Sequence, residues 1–185
     1  MSPAQARSAE SVHGLVAAAR QRFGELGYRA TSVDDVARDA GRTKGAVYHH
    51  FPDKRALFEQ VFTAEQQALA AQVAQSPTLA GGIATYLRII ATTPAAARIT
   101  LVDGPAVLGW ARWRSCDGGP FRTMLRRSLD AHEALAQRYD LDLLTELLLG
   151  AVTEAAQQVV TADDPRRTAR RYERQLRALV HDLGA

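Results

Sequence analysis

Cysteine, lysine and long apolar stretches are all scarce in this sequence of 185 residues. Its one cysteine, Cys116, excludes an internal disulfide and a structural zinc site built from cysteines. No apolar run reaches the length needed to span a membrane, and the first residues, MSPAQARSAESVHG, lack the apolar core of a signal peptide. We therefore expect a cytoplasmic protein with no membrane partner.

Catalytic and metal-binding signatures are missing as well. The sequence contains no GxSxG, GxGxxG or P-loop motif, and Cys116 has no evident histidine partner. The adjacent histidines His49 and His50 would point about 100° apart on a helix, and no HExxH motif accompanies them. These absences argue against an enzyme, a bound cofactor and a metal site.

The residues that are abundant describe a globular protein with a real core. Apolar residues make up 46% of the chain and charged residues 23%, which is the balance of a soluble domain. The formal net charge is only +3, but arginine outnumbers lysine 21 to 2. Both lysines lie within GRTKGAVYHHFPDK, residues 41–54, and an arginine-rich composition does not explain that placement.

The spacing of apolar residues predicts helices almost throughout. A first helix carries one apolar face and ends at Gly27, which suits a helix C-cap. The residues of that face recur at intervals of three and four: Val12, Leu15, Val16, Ala19, Phe23 and Leu26.

Two short helices and a long one follow. Ser32 is placed to cap the second helix, with Asp35 three residues later, and Gly41 ends it. Thr43 can cap a third helix from Lys44 to about His50, which Pro52 must end. Asp53 then caps a long fourth helix.

Two short helices joined by a tight turn form a helix-turn-helix, whose second helix enters the DNA major groove. That helix is too short to be stable alone, so we expect Val36, Val47 and Phe51 to support it as core residues. Lysine, tyrosine and histidine side chains on it offer the donors that phosphates accept, and an arginine before it can pair with guanine. The candidates for DNA contact are Arg42, Thr43, Lys44, Gly45, Tyr48, His49 and Lys54.

From Val12 to Phe62 the chain resembles the DNA-binding domain of the tetracycline-repressor (TetR) family of bacterial transcriptional regulators. The resemblance rests on the Lys-Gly, Tyr-His-His-Phe and Lys-x-x-Leu-Phe spacing within GRTKGAVYHHFPDKRALF. It implies that Thr43, Lys44, Gly45, Tyr48, His49 and Lys54 occupy DNA-contacting positions and that Ser32 lies near a phosphate. Arg42 departs from the family pattern, which often has a small apolar residue there.

After about Gln75 the segment SPTLAGG marks a change to a larger helical region. Gly104 and Pro105 predict the end of one helix and the start of the next, and Gly118, Gly119 and Pro120 predict a second break. We expect an all-α protein in which a helix-turn-helix domain, residues 8–53, joins a helical effector-binding and dimerisation domain, residues 54–185.

Both tryptophans and the cysteine fall between the predicted breaks. Trp110, Trp113 and Arg114 have helical spacing, so they can combine an aromatic wall with a cation. With Cys116 they are our candidates for a small-molecule pocket, since the resemblance implies an effector-binding C-terminal domain. A core or dimer-seam role for the tryptophans stays open. Arginines at positions 88, 98, 112, 114 and 122 hint at an anionic ligand.

The last two helices carry apolar stripes that suit a bundle, the second starting at Asp164-Pro165. The resemblance implies that these helices form a four-helix dimer interface, although packing within one chain can use part of each stripe. A two-fold dimer would read a roughly palindromic operator with half-sites ~34 Å apart. The candidate interface residues are Leu144, Leu148, Val152, Ala155, Tyr172, Leu176 and Leu179.

Taken with the resemblance, these patterns indicate a ligand-responsive regulator that binds operator DNA as a homodimer, repression being the commoner mode of the family. The small-molecule effector, the operator and the regulated genes are beyond the sequence. A helical small-molecule carrier or protein-interaction module is the alternative. It would explain the C-terminal half but would leave Lys44, Tyr48 and Lys54 without a purpose.

Overall fold

The computed structural model describes the backbone of residues 3–183 and the side chains of residues 11–115 and 119–183. All regular structure in this part of the chain is helical, as the sequence predicts. A π-helical segment, Arg98–Asp103, joins the sixth and seventh α-helices. The α-helices are α1 (Pro3–Leu26), α2 (Val33–Asp39), α3 (Lys44–His50), α4 (Lys54–Val73), α5 (Leu79–Thr92), α6 (Pro94–Ala97), α7 (Gly104–Leu108), α8 (Trp110–Asp130), α9 (Glu133–Arg138), α10 (Leu141–Val160) and α11 (Pro165–Leu183).

The predicted caps of the N-terminal helices are confirmed. Gly27 follows α1 with a φ of 84°, a backbone conformation that favours glycine. The side chains of Ser32, Thr43 and Asp53 each accept a hydrogen bond from the amide three residues on, at the starts of α2, α3 and α4. Gly41, with a φ of 63°, makes the turn between α2 and α3.

A shared core holds α1 to α4 together. Val36, Val47 and Phe51 are buried beneath α3, which confirms their predicted supporting role. Phe23 of α1 packs edge-on against Phe58 of α4, with ring centroids 5.2 Å apart. Short helices such as α2 and α3 depend on this burial because an isolated helix of that length is unstable in water.

The predicted break at Gly118, Gly119 and Pro120 is wrong, because α8 continues from Trp110 to Asp130 with Pro120 inside it. The half of α8 that follows the proline is held by packing: Leu125 and Leu129 are buried in a cluster with leucines of α10. Arg122 and Arg126 of α8 also form ion pairs with Glu146 and Asp142 of α10, respectively. These contacts outweigh the local preference of glycine and proline for ending a helix.

The break before α8 lies at Gly109, which has a φ of 79°. At Gly104, where the sequence predicts the end of a helix, the backbone passes from the π-helical segment into α7 without leaving helical dihedrals. Close packing explains this glycine instead, since a Cβ there would lie 2.8 Å from Phe62 and 3.0 Å from Trp113.

The C-terminal region is a layered helical bundle in which α5 packs on α11 and α8 packs on α10. The predicted start of α11 is confirmed, since Asp164 precedes Pro165 and its carboxylate accepts the amide of Arg167 at 2.9 Å. None of the helices within residues 3–183 has the length and apolarity that crossing a membrane requires.

Candidate nucleic-acid interface and ligand cavity

The exposed side of α3 and the turn before it form a polar surface, which we call the reader surface. The side chains of this surface are exposed to solvent. Tyr48 is 45% exposed, although tyrosine is a large and partly apolar residue. The structure brings together on this surface Arg42, Thr43, Lys44, Gly45, Tyr48 and His49, which are all exposed. Side chains placed in this way can reach both phosphates and base edges of a duplex.

Lys44 is paired on this surface with an acid of α2, Asp34. Its Nζ lies 2.9 Å from Oδ2 of Asp34 on α2, and both side chains are about half exposed. The hydrogen bond to Asp34 raises the pKa of Lys44, because this contact favours the charged ammonium. An exposed pair of this kind is weak, and DNA phosphates can replace the carboxylate at little cost.

Ser32 is exposed and already engaged at the start of α2. Its hydroxyl oxygen accepts the Asp35 amide at 3.1 Å and its hydroxyl donates to the Asp35 carboxylate at 2.6 Å. This hydrogen bond is the main cause that lowers the pKa of Asp35, and Arg38 adds to the effect. Ser32 therefore fixes the start of α2, which positions the turn that presents α3.

Lys54 is half-buried, unlike the rest of the predicted contacts. Its ammonium donates to the backbone carbonyls of Tyr28 at 2.9 Å and Thr31 at 3.0 Å, and it lies 4.2 Å from the centroid of the Tyr28 ring. The structure therefore gives Lys54 a role in holding the α1–α2 connection to α4.

The first turns of α4 also bind the C-terminal region, a feature that sequence patterns alone did not reveal. Arg55 donates to the carbonyls of Val107 and Leu108, which end α7, at 3.2 and 3.1 Å. One turn later Glu59 pairs with Arg112 of α8. Neighbouring residues of one helix thus tie both halves of the molecule together.

The rings of the predicted aromatic wall, Trp110 and Trp113, are in contact, and neither lines the apolar cavity described below. Their ring centroids are 5.1 Å apart, and the Arg114 guanidinium lies 5.8 Å from the Trp110 ring. Trp113 is fully buried and its Nε1 donates to the carbonyl of Thr100 at 2.8 Å, whereas 65% of Trp110 is exposed. The side chain of Cys116 lies outside the described residues.

An apolar cavity of about 280 Å³ lies elsewhere, between the end of α4 and helices α5, α8 and α10. Tyr86 of α5 and Phe121 of α8 meet in its wall with ring centroids 5.2 Å apart. A regular signal did exist in the sequence, because Gly82, Ile83 and Tyr86 recur at helical spacing, but no local pattern shows which neighbouring helices complete the cavity.

The predicted dimer residues differ in how far the single chain buries them. Leu144, Leu148, Ala155 and Leu176 are buried by the chain's own core, as in the alternative of packing within one chain. Val152 and Tyr172 are half-buried and Leu179 is exposed. Leu143 and Leu147 of α10, which are not among the predicted interface residues, are 63% and 71% exposed.

Comparison with known proteins covers both regions of the chain. Residues 15–61 match the family model described as "Bacterial regulatory proteins, tetR family", and residues 77–183 match the one described as "Tetracyclin repressor-like, C-terminal domain". An HTH-type transcriptional repressor of Mycobacterium tuberculosis is 30% identical over 164 residues, which cover 82% of this chain and 83% of that protein.

Other curated relatives match over shorter stretches. The Transposon Tn10 TetC protein of Escherichia coli is 37% identical over 68 residues, which cover 37% of this chain and 34% of that protein. The matched part of this chain thus spans about a third of the length of that relative, and the same holds for the uncharacterized HTH-type transcriptional regulator YhgD of Bacillus subtilis, at 35%.

Solved structures match over nearly the whole chain. A TetR-family transcriptional regulator from Pectobacterium atrosepticum is 28% identical, with a TM-score of 0.69 over 99% of this chain and 97% of the other. A TetR-family regulator from a Rhodococcus species has a TM-score of 0.71 at 14% identity, over 96% of this chain and 100% of that one, and supports the fold alone.

Proposed function

The chain is a member of the TetR family of bacterial transcriptional regulators, and from this premise we propose that it represses transcription by binding a palindromic operator as a homodimer until a small molecule occupies its cavity. In this proposal residues 8–53 read the DNA and residues 54–185 bind the effector and the second subunit. The observation that carries it is that one helix, α4, follows α3 directly in the chain and ends in the cavity wall.

The proposed contacts with DNA follow from the exposure of the reader surface. Lys44, Tyr48 and His49 donate to phosphates, which position the protein without specifying sequence. Arg42 and Thr43, at the start of α3, reach base edges, and the bidentate guanidinium of Arg42 suits guanine. Gly45 has no side chain to hold the duplex away, so its backbone can approach the DNA closely.

The proposed dimer uses the outward face of α10 and α11. Leu143, Leu147, Tyr172 and Leu179 supply apolar surface there that the single chain leaves partly or largely exposed. Self-association of such a face buries the leucines and gives the two-fold symmetry that a palindromic operator needs.

The proposed switch acts through α4. Val73 and Ala74, at the C-terminal end of this helix, line the cavity, while Lys54 at its other end holds the α1–α2 connection. The 20 residues of α4 span ~30 Å, so a shift at the ligand end moves the reader. Couplings of about 1 to 3 kcal/mol would change operator affinity roughly 5 to 150-fold.

The test of the proposed DNA binding compares the protein with a Lys44→Ala, Tyr48→Ala double variant on the DNA that flanks its own gene, at two salt concentrations. We expect sequence-selective binding that weakens as salt rises and is lost in the variant, because phosphate contacts release counterions.

The matched control is an Arg138→Ala, Tyr139→Ala double variant, which also removes one cation and one tyrosine but on α9. This control should bind DNA like the unmodified protein. Size measurements in solution follow the dimer in all three proteins. Absence of selective binding, or equal loss in both variants, would favour the helical carrier over the regulator.

A further inference from the structure

The five arginines of α8 differ in whether a carboxylate of the chain neutralises their charge, and this difference indicates which ligand the cavity can bind. Four of the five are paired with carboxylates of the chain: Arg112 with Glu59, Arg114 and Arg122 with Glu146, and Arg126 with Asp130 and Asp142. Arg127 has no ion pair or hydrogen bond among the described side chains and backbone groups, and it lines the cavity. Its charge is therefore available to a ligand.

Arg127 stands where the cavity opens to solvent. The exposed residues of the lining are Ala74, Pro77 and Thr78, around the α4–α5 connection, together with Arg127 on α8. Many of the other lining residues are buried, among them Ile83, Tyr86, Leu125, Leu148 and Leu149. The cavity thus has a polar mouth and an apolar interior.

The directions of two helices place the mouth and the aromatic pair at opposite ends. Along α5 the lining runs from the capping residue Thr78 through Ile83 to Tyr86. Along α8 it runs in the reverse sense of the chain, from Arg127 through Met124 to Phe121. The N-terminal end of α5 and the C-terminal end of α8 therefore lie at the mouth, and the contact between Tyr86 and Phe121 marks the aromatic end of the cavity.

Charge and volume narrow the class of ligand. The described lining contains one arginine and no carboxylate, so a cation finds no counter-ion there while an anion does. The 280 Å³ of the cavity lies at the small end of the range of about 300 to 1,000 Å³ that is typical of ligand pockets, so the ligand is a small molecule.

We propose that the effector is a small amphipathic carboxylate whose anionic group binds Arg127 at the mouth and whose apolar body extends toward Tyr86 and Phe121. The inference rests on the proposed function, since it names the effector class of the same cavity. A guanidinium binds a carboxylate with two parallel hydrogen bonds, and Ser128 beside it adds a hydroxyl at the mouth.

The experiment measures binding of octanoate, 1-octanol and octylamine to the full chain by calorimetry. These probes share one alkyl chain and differ in the charge of the head group. We expect octanoate to bind about tenfold more tightly than 1-octanol, because it alone makes charge-assisted hydrogen bonds with Arg127, and octylamine to bind weakest. Equal binding of octanoate and octanol, preference for the amine, or no binding of any probe would overturn the proposal.

Two variants of neighbouring arginines locate the effect. Arg127→Gln should remove the advantage of octanoate over octanol, whereas Arg126→Gln, which removes the same charge from a paired arginine outside the lining, should keep it. Retention of the advantage in Arg127→Gln, or its loss in Arg126→Gln, would show that Arg127 is not the recognition group.

Operator binding measured in the same samples separates the two proposals. Selective DNA binding by the ligand-free protein, with no preference for octanoate, overturns the carboxylate class and leaves the regulator standing. Failure of the ligand-free protein to bind any operator, with octanoate still preferred in an Arg127-dependent way, supports the carboxylate site and overturns the regulator.

Discussion

The helix-turn-helix and helix α8 respond to the same residue types in opposite ways. Gly41 follows the end of α2 and Pro52 follows the end of α3. Each of these residues thus marks a helix boundary, as its backbone preference predicts. In α8 the run Gly118, Gly119 and Pro120 leaves the helix unbroken. Helices of 7 residues depend on caps because they have few side chains to bury, whereas the 21 residues of α8 have a long packed face.

The two regions also differ in how they use charge. On α8 four arginines are neutralised by acids of neighbouring helices, so they stabilise packing within the chain. On the reader surface Lys44 is held by one exposed acid and Arg42 remains exposed, so their charges are directed outward. Arg127 resembles the reader residues in this respect, although it lies on α8.

Separate replacement of Trp113 and Trp110 should give the largest difference in the free energy of unfolding between two variants of the C-terminal region. Trp113→Ala should lower the free energy of unfolding by about 3–5 kcal/mol, because a fully buried ring is lost and the Thr100 carbonyl loses its donor. Trp110→Ala should change it by no more than about 0.5 kcal/mol, since that ring is mostly exposed. Urea denaturation measures both; similar losses would contradict the assigned burial.

Gly104 offers a second test of packing in the same region. Gly104→Ala should destabilise the protein by about 1–3 kcal/mol, because the new Cβ meets Phe62, Trp113 and the Ile99 carbonyl at 2.8 to 3.1 Å. The control is Gly119→Ala in the interior of α8, where a Cβ has no neighbour within 4 Å. That variant should gain up to about 1 kcal/mol from helix propensity. Thermal unfolding measures the stability of both variants. An unchanged stability of Gly104→Ala would contradict the expectation.

On the DNA-binding side, Asp34→Asn should raise operator affinity several-fold. The substitution frees Lys44 and removes a negative charge beside the phosphates. The slope of log K against log[salt] should therefore become more negative by up to about 1, which corresponds to one additional phosphate contact. Asp163→Asn, on the exposed α10–α11 connection, makes the same charge change and should have no such effect. DNA titrations over a range of salt compare the two variants, and an unchanged or weaker affinity for Asp34→Asn would refute this role.

Acid should loosen the helix-turn-helix by a smaller amount. Hydrogen bonds from Ser32 and Arg22 lower the pKa values of Asp35 and Asp39 below those of the unfolded chain. The stability they contribute is therefore complete above the unfolded pKa of about 4 and is lost as the pH falls through the lower folded values. Amide hydrogen exchange in α2 between about pH 5 and 2 measures the loss.

Arg22→Gln is the comparison for the acid experiment. Without its guanidinium Asp39 loses the main cause of its low pKa, so the variant should show less additional loss on acidification than the unmodified protein. Identical acid profiles for the two proteins would show that this pair does not contribute.

The helix-turn-helix could be predicted closely because its determinants are local. Caps at Ser32, Thr43 and Asp53, together with glycine at position 41, act within one or two turns, so the sequence contains the information in contiguous form. The cavity could not be found in this way, because its wall joins Val73, Tyr86, Phe121 and Leu149 from four separate helices.

The sequence by itself determined the helical class, the bounds of α2 and α3 and the start of α11, since each follows from backbone preference and helical spacing. Only the tertiary structure decided that α8 passes through Pro120, that Trp113 is core and that Arg127 alone among the arginines of α8 lacks a described partner. Those outcomes depend on which distant side chains arrive beside each residue, and that arrangement is a property of the packed chain rather than of any short segment.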